Sequence, residues 1–464
     1  MFTALKARKS KIILVLALLL FSIGALFIIR YRTGGDEKPI RCIDCNIVLV
    51  SFDTLRADHV GAYGYTKNTT PTIDKFAQEG FVFTNAISVT SWTLPSHMSW
   101  FTGVYPSQHK VLNKFTVTND GQEEITNLEK VSPGMLTLAE ILKQNGYKTG
   151  GFTGGAGVNH EFGFDKGFDI YTDDKEFAGF SDSIPKALDW ISQNKDEKIF
   201  VFLHGYDIHG QYVPEGGYDF RFLDFEYSGK LDGSKEEQKD LREEGLARGQ
   251  IFLTPEDVKF LTSLYDEKVQ RADKKFAQFV EKYSEMGLKD KTLFILTSDH
   301  GEELYEHGRI DHGHSLYEEL IKIPLIIAFP GLKGETKISE QVGSIDFMPT
   351  ILDLVGIEKS ETLERQMSGR SLKSLMGGNR VALDVFPETD YRYDTFQRAI
   401  RTSDSWKLIT DLENKSRQLY FLNKDSQERE NKADSEASQF NKLNQLLIQH
   451  LNKFGVSTSQ QNGR

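Results

Sequence analysis

Ligand-type side chains follow three short apolar runs of the sequence. They are Asp53 after residues 47–52, then His204, Asp207 and His209 after residues 200–203, and Asp299 and His300 after residues 292–297. Ligands bind beyond the carboxyl ends of parallel strands, so three such strands in one sheet would bring these side chains to the same edge. A mixture of carboxylate oxygens and imidazole nitrogens suits Mn²⁺ or Zn²⁺ better than the all-oxygen shells typical of Mg²⁺ and Ca²⁺. The pattern therefore predicts a site for one divalent cation.

A hydroxyl group near a predicted helix start offers a nucleophile for that site. Residues 91–97 read Ser-Trp-Thr-Leu-Pro-Ser-His, and Pro95 fits the first turn of a helix that continues towards Gly103. Thr93 would lie at or just before the N-terminus of this helix, where free backbone N–H groups stabilise an anion. Beside a divalent cation, such a hydroxyl can lose its proton and attack a sulfur or phosphorus centre. The alternative is that Thr93 only caps the helix.

Apolar runs that alternate with helix-like segments predict the scaffold. Together with a fourth run at residues 324–329, the runs have the length and composition of buried strands. Residues 71–79 begin with Pro and precede a Gly, and residues 265–283 have apolar side chains at helical spacing, so both are predicted helices. The alternation indicates an α/β fold with a parallel sheet covered on both faces. Residues 226–250 are rich in charge and predict a solvated insertion without a chemical role.

Composition places the chain among globular proteins and excludes one class of partner. Its 464 residues are 39% hydrophobic and 27% charged, which is ordinary for a protein with a large core. The formal net charge of −11 argues against a nucleic-acid partner, which requires clustered Lys and Arg. Cys42 and Cys45 are the two cysteines, and no further zinc ligands lie close to them in sequence. A disulfide and a pair of free thiols are both open.

An apolar N-terminal stretch predicts attachment to a membrane. Residues 12–29 contain no charged side chain and reach the length of a membrane-spanning helix. More basic residues precede this stretch than follow it, which favours a cytoplasmic segment at residues 1–11 and a single-pass protein with an extracytoplasmic catalytic domain. A cleaved signal peptide is the competing interpretation, but no clear small-residue cleavage site ends the stretch. Residues 30–45 are the predicted linker.

From residue 46 onward the chain resembles the sulfatase family of the alkaline phosphatase superfamily. The matching motifs, in the family's order, are the opening strand at 46–58, Thr-Leu-Pro-Ser-His at 93–97, Phe-Thr-Gly-Val-Tyr-Pro at 101–106, Asp-Ile-His at 207–209, Thr-Ser-Asp-His-Gly-Glu at 297–302, Glu-His-Gly at 306–308, His312 with Leu-Tyr-Glu at 316–318, Asp-Phe-Met-Pro-Thr at 346–350, and a C-terminal segment at 419–431. The resemblance implies an alkaline-phosphatase/sulfatase-like α/β fold, with a mostly parallel sheet flanked by helices at residues 46–385. A small C-terminal α+β subdomain at 386–455 and a flexible tail at 456–464 would follow.

The resemblance also implies how the cation is held. Asp53, Asp299, His300 and the Thr93 oxygen would be its ligands, and Thr93 would be the nucleophile. Many sulfatases use Ca²⁺, so the identity of the ion among Ca²⁺, Mn²⁺, Zn²⁺ and Mg²⁺ is open.

Other histidines acquire expected roles from the same resemblance. His209 would hydrogen-bond the non-bridging oxygens of the substrate, and His312 would protonate the leaving group. His314 is the alternative to His312, because the register of this segment is uncertain by a residue or two. His97 and His307 are further candidates, either as oxyanion contacts or as supports for the residues that touch substrate.

Several positions depart from the family pattern. Typical sulfatases oxidise a Cys or Ser at the nucleophile position to formylglycine, but oxidation of Thr93 would give a ketone, so no formylglycine is expected. His97 stands where the family has Arg, and Asp53-Thr54 replaces its Asp-Asp pair. The Lys-x-His pair that often grips sulfate is absent near residues 154–156. These departures leave the choice between sulfate and phosphate open.

Three hypotheses for function follow. The first is a hydrolase of sulfate- or phosphate-type esters that uses Thr93 and one metal ion. The second is a phosphoethanolamine- or phosphoglycerol-type transferase at the membrane surface, since relatives of this kind use an unmodified Thr. The third is a catalytically dead protein that binds anionic glycans. The expected partner is a sulfated or phosphorylated small molecule, glycan or lipid head group.

Overall fold

The computed structural model describes residues 40–112, 116–117, 123–124, 129–213, 221–223, 226–332, 334–391 and 395–456. The predicted cytoplasmic segment and anchor (1–29) and nearly all of the predicted tail lie outside these residues. Within the described ranges, no helix combines the length and the apolar character needed to cross a bilayer. The chain divides into residues 1–41 and a compact unit, Cys42–Arg464, to which all the elements below belong.

Nineteen strands are described, most of them short. They are β1 (Asn46–Phe52), β2 (Phe81–Phe83), β3 (Ala86–Ile87), β4 (Thr116–Val117), β5 (Glu123–Glu124), β6 (Lys148–Phe152), β7 (Ile170–Thr172), β8 (Ile199–Gly205), β9 (Thr292–Thr297), β10 (Glu303–Leu304), β11 (Ile310–Asp311), β12 (Lys322–Ile323), β13 (Leu325–Ala328), β14 (Thr336–Ile338), β15 (Val342–Gly343), β16 (Glu388–Tyr391), β17 (Thr395–Arg401), β18 (Trp406–Asp411) and β19 (Arg417–Phe421).

Eight of these strands form the central sheet, in the order β14-β2-β13-β9-β1-β8-β6-β7. The five strands from β9 to β7 are parallel to one another. All seven residues of β1 are buried, and so are all seven of β8. Strands that are apolar and buried along their whole length belong to a sheet covered on both faces. The predicted mostly parallel α/β architecture is confirmed.

One strand of this sheet runs against the expected direction. The run predicted at residues 324–329 contains β13, which pairs antiparallel with both β9 and β2. A parallel strand would require the chain to cross back over the sheet, usually through a long helix. The described connection between β9 and β13 contains only short elements, namely the β10–β11 hairpin, the four-residue helix Glu318–Ile321 and the two-residue strand β12. The connection therefore re-enters the sheet from the edge it left, and the expectation of a parallel strand was wrong.

The helices cover the faces of the sheet and surround its carboxyl edge. They are α1 (Pro71–Ala77), α2 (Thr93–Thr102), α3 (Pro106–His109), α4 (Leu138–Gln144), α5 (Phe180–Gln193), α6 (Lys235–Arg248), α7 (Pro255–Glu285), α8 (Glu318–Ile321), α9 (Phe347–Val355), α10 (Glu361–Gln366), α11 (Lys373–Met376) and α12 (Ala437–Lys453). Single 3₁₀ turns occur at Ala57–His59, Gly61–Tyr63, Ala156–Val158, His160–Phe162, Lys289–Lys291 and Ser344–Asp346.

Helix α7 shows why sequence periodicity locates a helix better than it locates its ends. The predicted helix at 265–283 lies inside the 31-residue α7. Its true start is set by Thr254, whose hydroxyl accepts from the Asp257 backbone while the Asp257 carboxylate accepts from the Thr254 backbone. This reciprocal pair satisfies two backbone donors of the first turn. The other predicted helix, at 71–79, is α1 and ends at Ala77.

An antiparallel sheet, β16-β17-β18-β19, follows the central sheet in sequence, and α12 packs against it. The fully buried Lys407 on β18 pairs with Glu428 at 2.8 Å and with Glu318 of α8 at 3.1 Å. Arg401 on β17 also binds the Glu318 carboxylate, through two nitrogens. A buried charge is tolerated only when it is paired, so this network fixes the C-terminal sheet to the α8 segment.

The two cysteines form a disulfide, Cys42–Cys45, just before β1. The alternative of free thiols is thereby excluded in this structure.

Candidate active site

Three adjacent parallel strands deliver the site residues to one edge of the sheet. In the register of the sheet, Ser51 of β1 lies opposite His204 of β8 on one side and opposite Thr297 of β9 on the other. Asp53 follows β1 directly, and Asp299 follows β9 after one intervening residue. The predicted convergence of strand ends is therefore observed.

Asp53, Asp299 and His300 form a buried group that we call the carboxylate–histidine cluster. One ligand atom from each residue lies within 4.8 Å of the others. Asp53 Oδ1 and Asp299 Oδ2 are buried and accept no hydrogen bond from the described residues. Leaving a buried carboxylate oxygen unpartnered is costly, and a divalent cation removes that cost. The donor set and its orphaned oxygens fit one such ion.

Hydrogen bonding fixes which nitrogen of His300 faces the cluster. His300 Nδ1 lies 2.8 Å from the Gly301 carbonyl oxygen, an acceptor that requires the proton on this nitrogen. In the neutral ring Nε2 then carries the lone pair, and this atom lies 3.3 Å from Asp299 Oδ2. A backbone carbonyl that orients an imidazole in this way is typical of metal-ligating histidines.

Two further histidines lie close to the carboxylates of the cluster. His204 Nε2 lies 3.2 Å from Asp53 Oδ2, and His97 Nδ1 lies 3.6 Å from Asp299 Oδ2. Burial lowers the pKa of each of these histidines to about 4, so both are neutral near pH 7. Burial alone would raise the pKa of Asp299, but the neighbouring His300, His97 and His204 outweigh it and the pKa falls to about 2.

Thr93 is the first residue of α2 and points its hydroxyl at the cluster. Thr93 Oγ1 lies 3.4 Å from Asp53 Oδ2 and 3.3 Å from His300 Nε2. Trp92, in extended conformation, is the residue that precedes the helix, so the capping position belongs to Trp92 and not to Thr93. The helix start also places unpaired backbone N–H groups near this hydroxyl. The capping interpretation of Thr93 therefore fails, and the hydroxyl is available for chemistry.

His312 stands beside the cluster between two carboxylates. Its Nδ1 lies 3.0 Å from Glu302 Oε1 and 3.0 Å from Asp311 Oδ1, and its ring centroid lies 4.5 Å from that of His300. Burial would lower the pKa of His312, but Asp311 and Glu302 outweigh burial and raise it to about 9. A histidine that is protonated at neutral pH can donate a proton to a leaving group.

His209 lines the same cavity, with its ring centroid 4.9 Å from that of His312. Its Nδ1 lies 2.6 Å from the Gly210 carbonyl oxygen and must donate to it. Burial and the nearby His312 lower the pKa of His209 to about 3. In the neutral ring Nε2 is then an acceptor, so the expected donation to substrate oxygens requires protonation of His209 when an anion binds.

His307 and His314 do not join this group. His307 stacks on Tyr317 with 3.6 Å between ring centroids, and its Nδ1 binds Glu319 Oε1 at 2.7 Å. His314 Nε2 binds Glu303 Oε2 at 2.7 Å. Neither histidine lines the cavity above Thr93. His97, in contrast, lies directly beneath the nucleophile, since its Nδ1 lies 3.0 Å from the Thr93 carbonyl oxygen.

A cavity of about 530 Å³ opens above Thr93. Its wall includes aromatic and cationic side chains, which are Trp92, Phe177, Tyr206, Tyr391, Lys235, Lys239, Arg242 and Lys268. Three of the cations belong to α6, in the segment predicted to be a solvated insertion without a chemical role, and they line this cavity. The charge spacing of α6 was visible in the sequence, but nothing in the sequence showed which face of this helix meets the cavity.

Sequence reasoning noted His204 only as one of several strand-end residues and gave no role to Glu302 or Asp311. Both carboxylates belong to motif-bearing segments, but carboxylates are common on surfaces. Their importance lies in their distance from His312, which only the folded chain shows.

Two family models match the chain. The Sulfatase model covers residues 45–357, and the model of the N-sulphoglucosamine sulphohydrolase C-terminal region covers residues 305–456. The first alone spans more than half of the chain, and the two overlap around the segment that holds His307, His312 and His314.

Individual proteins agree with the family models. A Delta 4,5-hexuronate-2-O-sulfatase of Bacteroides thetaiotaomicron is 24% identical, over 90% of this chain and 88% of that protein. A solved 2-O GAG sulfatase superposes with a TM-score of 0.70 at 19% identity, over 88% and 92% of the two chains. The phosphonate monoester hydrolase of Agrobacterium radiobacter superposes with a TM-score of 0.65 at 17% identity, over 88% and 96%. The chain belongs to the sulfatase family of the alkaline phosphatase superfamily, and it is an ester hydrolase of the sulfatase type.

Proposed function

We propose that this protein is a metal-dependent hydrolase of sulfate- or phosphate-type esters in which Thr93 is the nucleophile. The observation that carries the proposal is the position of the Thr93 hydroxyl, which lies at the floor of the cavity within 3.4 Å of Asp53 and 3.3 Å of His300. Among the described residues that line the cavity, Thr93 is the one whose hydroxyl contacts the carboxylate–histidine cluster.

The residues that would hold the ion are Asp53, Asp299, His300 and the Thr93 oxygen. When bound, a divalent cation would favour the ionised hydroxyl and offset the negative charge of the ester oxygens. His204 and His97 keep the two carboxylates in place from the protein side. The N-terminus of α2 adds backbone N–H groups near Thr93, where negative charge collects during transfer.

The first half of the reaction transfers the ester group to Thr93. The Thr93 hydroxyl first releases its proton to solvent. The ionised Thr93 Oγ1 then forms a bond to the sulfur or phosphorus, and the bond from that atom to the alcohol oxygen breaks. The departing alcohol oxygen takes a proton from His312, which Asp311 and Glu302 keep protonated at neutral pH. The products of this half are the free alcohol and an ester of Thr93.

The second half releases that ester with water. A water oxygen bonds to the sulfur or phosphorus, the bond to Thr93 Oγ1 breaks, and the neutral His312 accepts a proton from the water. Thr93 leaves as the ionised oxygen, and His312 is again protonated, so both residues are ready for the next cycle. A formylglycine hydrate could expel the group by forming its aldehyde, but Thr93 bears a methyl group and has no second hydroxyl. Release from Thr93 must therefore occur by attack at the sulfur or phosphorus centre.

We further propose an anionic glycan as substrate. The names of two relatives support this, since one acts on a hexuronate 2-O-sulfate and one is a 2-O GAG sulfatase. The phosphonate monoester hydrolase with the same fold keeps phosphate-type esters among the substrates to be tested.

Thr93→Ala and Thr93→Ser variants test the proposal against a panel of aryl sulfate, phosphate monoester, diester and phosphonate substrates, each with several metal ions. Thr93→Ala should lose turnover by at least about a thousandfold, whereas Thr93→Ser retains a hydroxyl and should retain part of the activity. Intact mass spectrometry of rapidly quenched wild-type protein should show an adduct, and digestion should locate it on the peptide containing Thr93. Full activity of the Thr93→Ala variant would refute the assignment.

The same panel separates hydrolysis from transfer. A hydrolase releases product at a rate that is independent of added alcohols or glycans, because water is the acceptor. A transferase of the phosphoethanolamine or phosphoglycerol type would accumulate the Thr93 adduct until a glycan acceptor is added.

A further inference from the structure

The helix α6 presents an unusual distribution of charge to the cavity. Its 14 residues contain five carboxylates and four cations. The residues of α6 that line the cavity are Lys235, Lys239 and Arg242, and none of its carboxylates does so. Their spacing of four and then three residues places them on one face of the helix. We call this face the α6 cationic face.

The overall charge of the protein does not account for the three cations on this face. The chain has a formal net charge of −11, and α6 itself is slightly acidic, so an unselected face would be expected to show carboxylates. Within the described residues, no ion pair involves Lys235 or Lys239. Arg242 lies 3.5 Å from Asp311 and 2.6 Å from Glu243. The two lysines therefore bring positive charge that the described part of the protein does not neutralise.

The α6 cationic face is separate from the group that would hold the reacting ester. Thr93 contacts Asp53 and His300, which follow strands of the sheet, while α6 contributes three cations to the lining of the same cavity. Along an α-helix the seven-residue interval from Lys235 to Arg242 spans about 10 Å. A single oxyanion bound at Thr93 cannot occupy both places, and one oxyanion cannot cover the length of this face.

We propose that Lys235 and Lys239, together with Arg242, form a subsite for a second anionic group of the substrate, so that the enzyme prefers esters on polyanionic glycans. This inference rests on the proposed function of Thr93 and names the substrate class more narrowly. Aromatic side chains on the cavity wall, including Trp92 and Phe177, suit the apolar faces of sugar rings. The group bound at this subsite would be an oxyanion, either a further sulfate or a uronate carboxylate.

The test compares the wild type with a Lys235→Gln/Lys239→Gln double variant. Both lysines are exposed, so the substitutions should not disturb folding, and thermal unfolding verifies this. Arg242 is left intact because it also contacts Asp311 beside His312. Arg248→Gln is the matched control, since Arg248 lies on the same helix, pairs with Glu244 and does not line the cavity.

The substrates are an aryl monoester, a disaccharide with one ester group, and matched disaccharides with an added sulfate or an added uronate carboxylate. Wild type should have a higher kcat/KM for the doubly charged disaccharides than for the singly charged one. In the double variant the ratio of these two values should fall by roughly tenfold. The preference of wild type should also weaken in high salt, because salt screens exposed charges. A Lys235→Arg/Lys239→Arg variant should retain it.

The outcomes separate this inference from the proposed function. Suppose that the aryl monoester is turned over and that this turnover depends on Thr93. If wild type then shows no preference for a second charge, or if the double variant shows the same preference as wild type, the subsite is overturned and the proposed hydrolase activity stands. If no ester is turned over, titration of the doubly charged disaccharides by calorimetry decides the subsite alone. Weaker binding by the double variant than by Arg248→Gln then supports it, and equal binding overturns it.

Discussion

The Thr93 side chain lies directly against Gly157. A Cβ atom added at Gly157 would lie 2.9 Å from Thr93 Cβ and 3.0 Å from Thr93 Cγ2. The Gly157 backbone N–H in turn donates to the Tyr206 hydroxyl at 3.0 Å, which holds this backbone against the nucleophile. The structure thus contains a space shaped for the methyl group that distinguishes Thr from Ser.

Gly157→Ala should therefore lower activity by about tenfold to a hundredfold, because it displaces Thr93 from the cluster by a fraction of an ångström. In a Thr93→Ser background the same change should cost less, since Ser lacks Cγ2 and one of the two close contacts disappears. The measurement is kcat/KM for the four combinations of the two positions. An equal cost in both backgrounds would mean that Gly157 does not act through the methyl group.

Metal removal should destabilise wild type much more than an Asp53→Asn variant. Without metal, Asp53 and Asp299 are two buried carboxylates in one group, so Asp53→Asn should leave the unfolding temperature unchanged or raise it. With metal, wild type should gain stability by mass action, and the variant should gain much less. Thermal unfolding with chelator, and then with Ca²⁺, Mn²⁺, Zn²⁺ or Mg²⁺, measures both effects. Asp353→Asn is the control, because Asp353 of α9 pairs with Lys359 and is not a member of the carboxylate–histidine cluster.

His312→Gln should reduce turnover most for substrates with poor leaving groups. Loss of a positioned acid costs about 10²- to 10⁴-fold when the leaving group needs a proton. A nitrophenolate leaves without one, so its ester should be affected far less. A series of aryl esters that differ in phenol pKa measures this dependence. A uniform loss across the series would assign His312 to binding and not to proton donation.

His307→Gln should leave turnover unchanged and change stability in a pH-dependent way. Burial opposes protonation of His307, but the hydrogen bond to Glu319 outweighs it and the pKa of His307 lies above its ordinary value of 6.5. A histidine with a raised pKa stabilises the fold fully below pH 6.5, and that contribution is lost as the pH rises through the raised value. The variant should be less stable than wild type by about 1 kcal/mol at pH 6, and the difference should shrink towards pH 9. Denaturant unfolding at several pH values checks this, and a loss of turnover similar to that of His312→Gln would contradict it.

Lys407→Met should destabilise the protein by about 3–5 kcal/mol, because it leaves Glu428 buried without its partner. Adding Glu428→Gln should recover part of the loss, since the uncompensated charge is then removed. The exposed Lys424→Met is the control and should change the free energy of unfolding by less than about 0.5 kcal/mol. Chemical denaturation measures all three variants, and additive effects at positions 407 and 428 would show that the pair is not coupled.

The sheet and the cluster could be predicted because they depend on local pattern and on a general rule of parallel sheets. The runs before Asp53 and Asp299 are apolar and buried along their length, and parallel strands end at one edge. The motifs around these residues also occur in the order of the sulfatase family, which predicted the order of the site segments along the chain. Strand direction could not be read in the same way for β13, because it depends on the path of the connection and not on composition.

The histidines show where sequence reasoning ends. His307 and His312 lie five residues apart in one motif-bearing segment, and each directly follows an acidic residue. Only the fold shows that the ring of His307 turns towards Tyr317, while that of His312 turns towards His300. The α6 cations illustrate the same limit, since amphipathic spacing identifies a face but not its neighbour.

All ten residues of α2 are buried, including Thr93 at its start. A modifying enzyme that must bind several residues on each side of position 93 could not reach them in the folded protein. In a Thr93→Cys variant, conversion of the cysteine to an aldehyde would therefore have to take place during synthesis, before the chain closes over this helix. The timing of translation, and not the chemistry of the mature enzyme, would then decide whether such a variant could be modified at all.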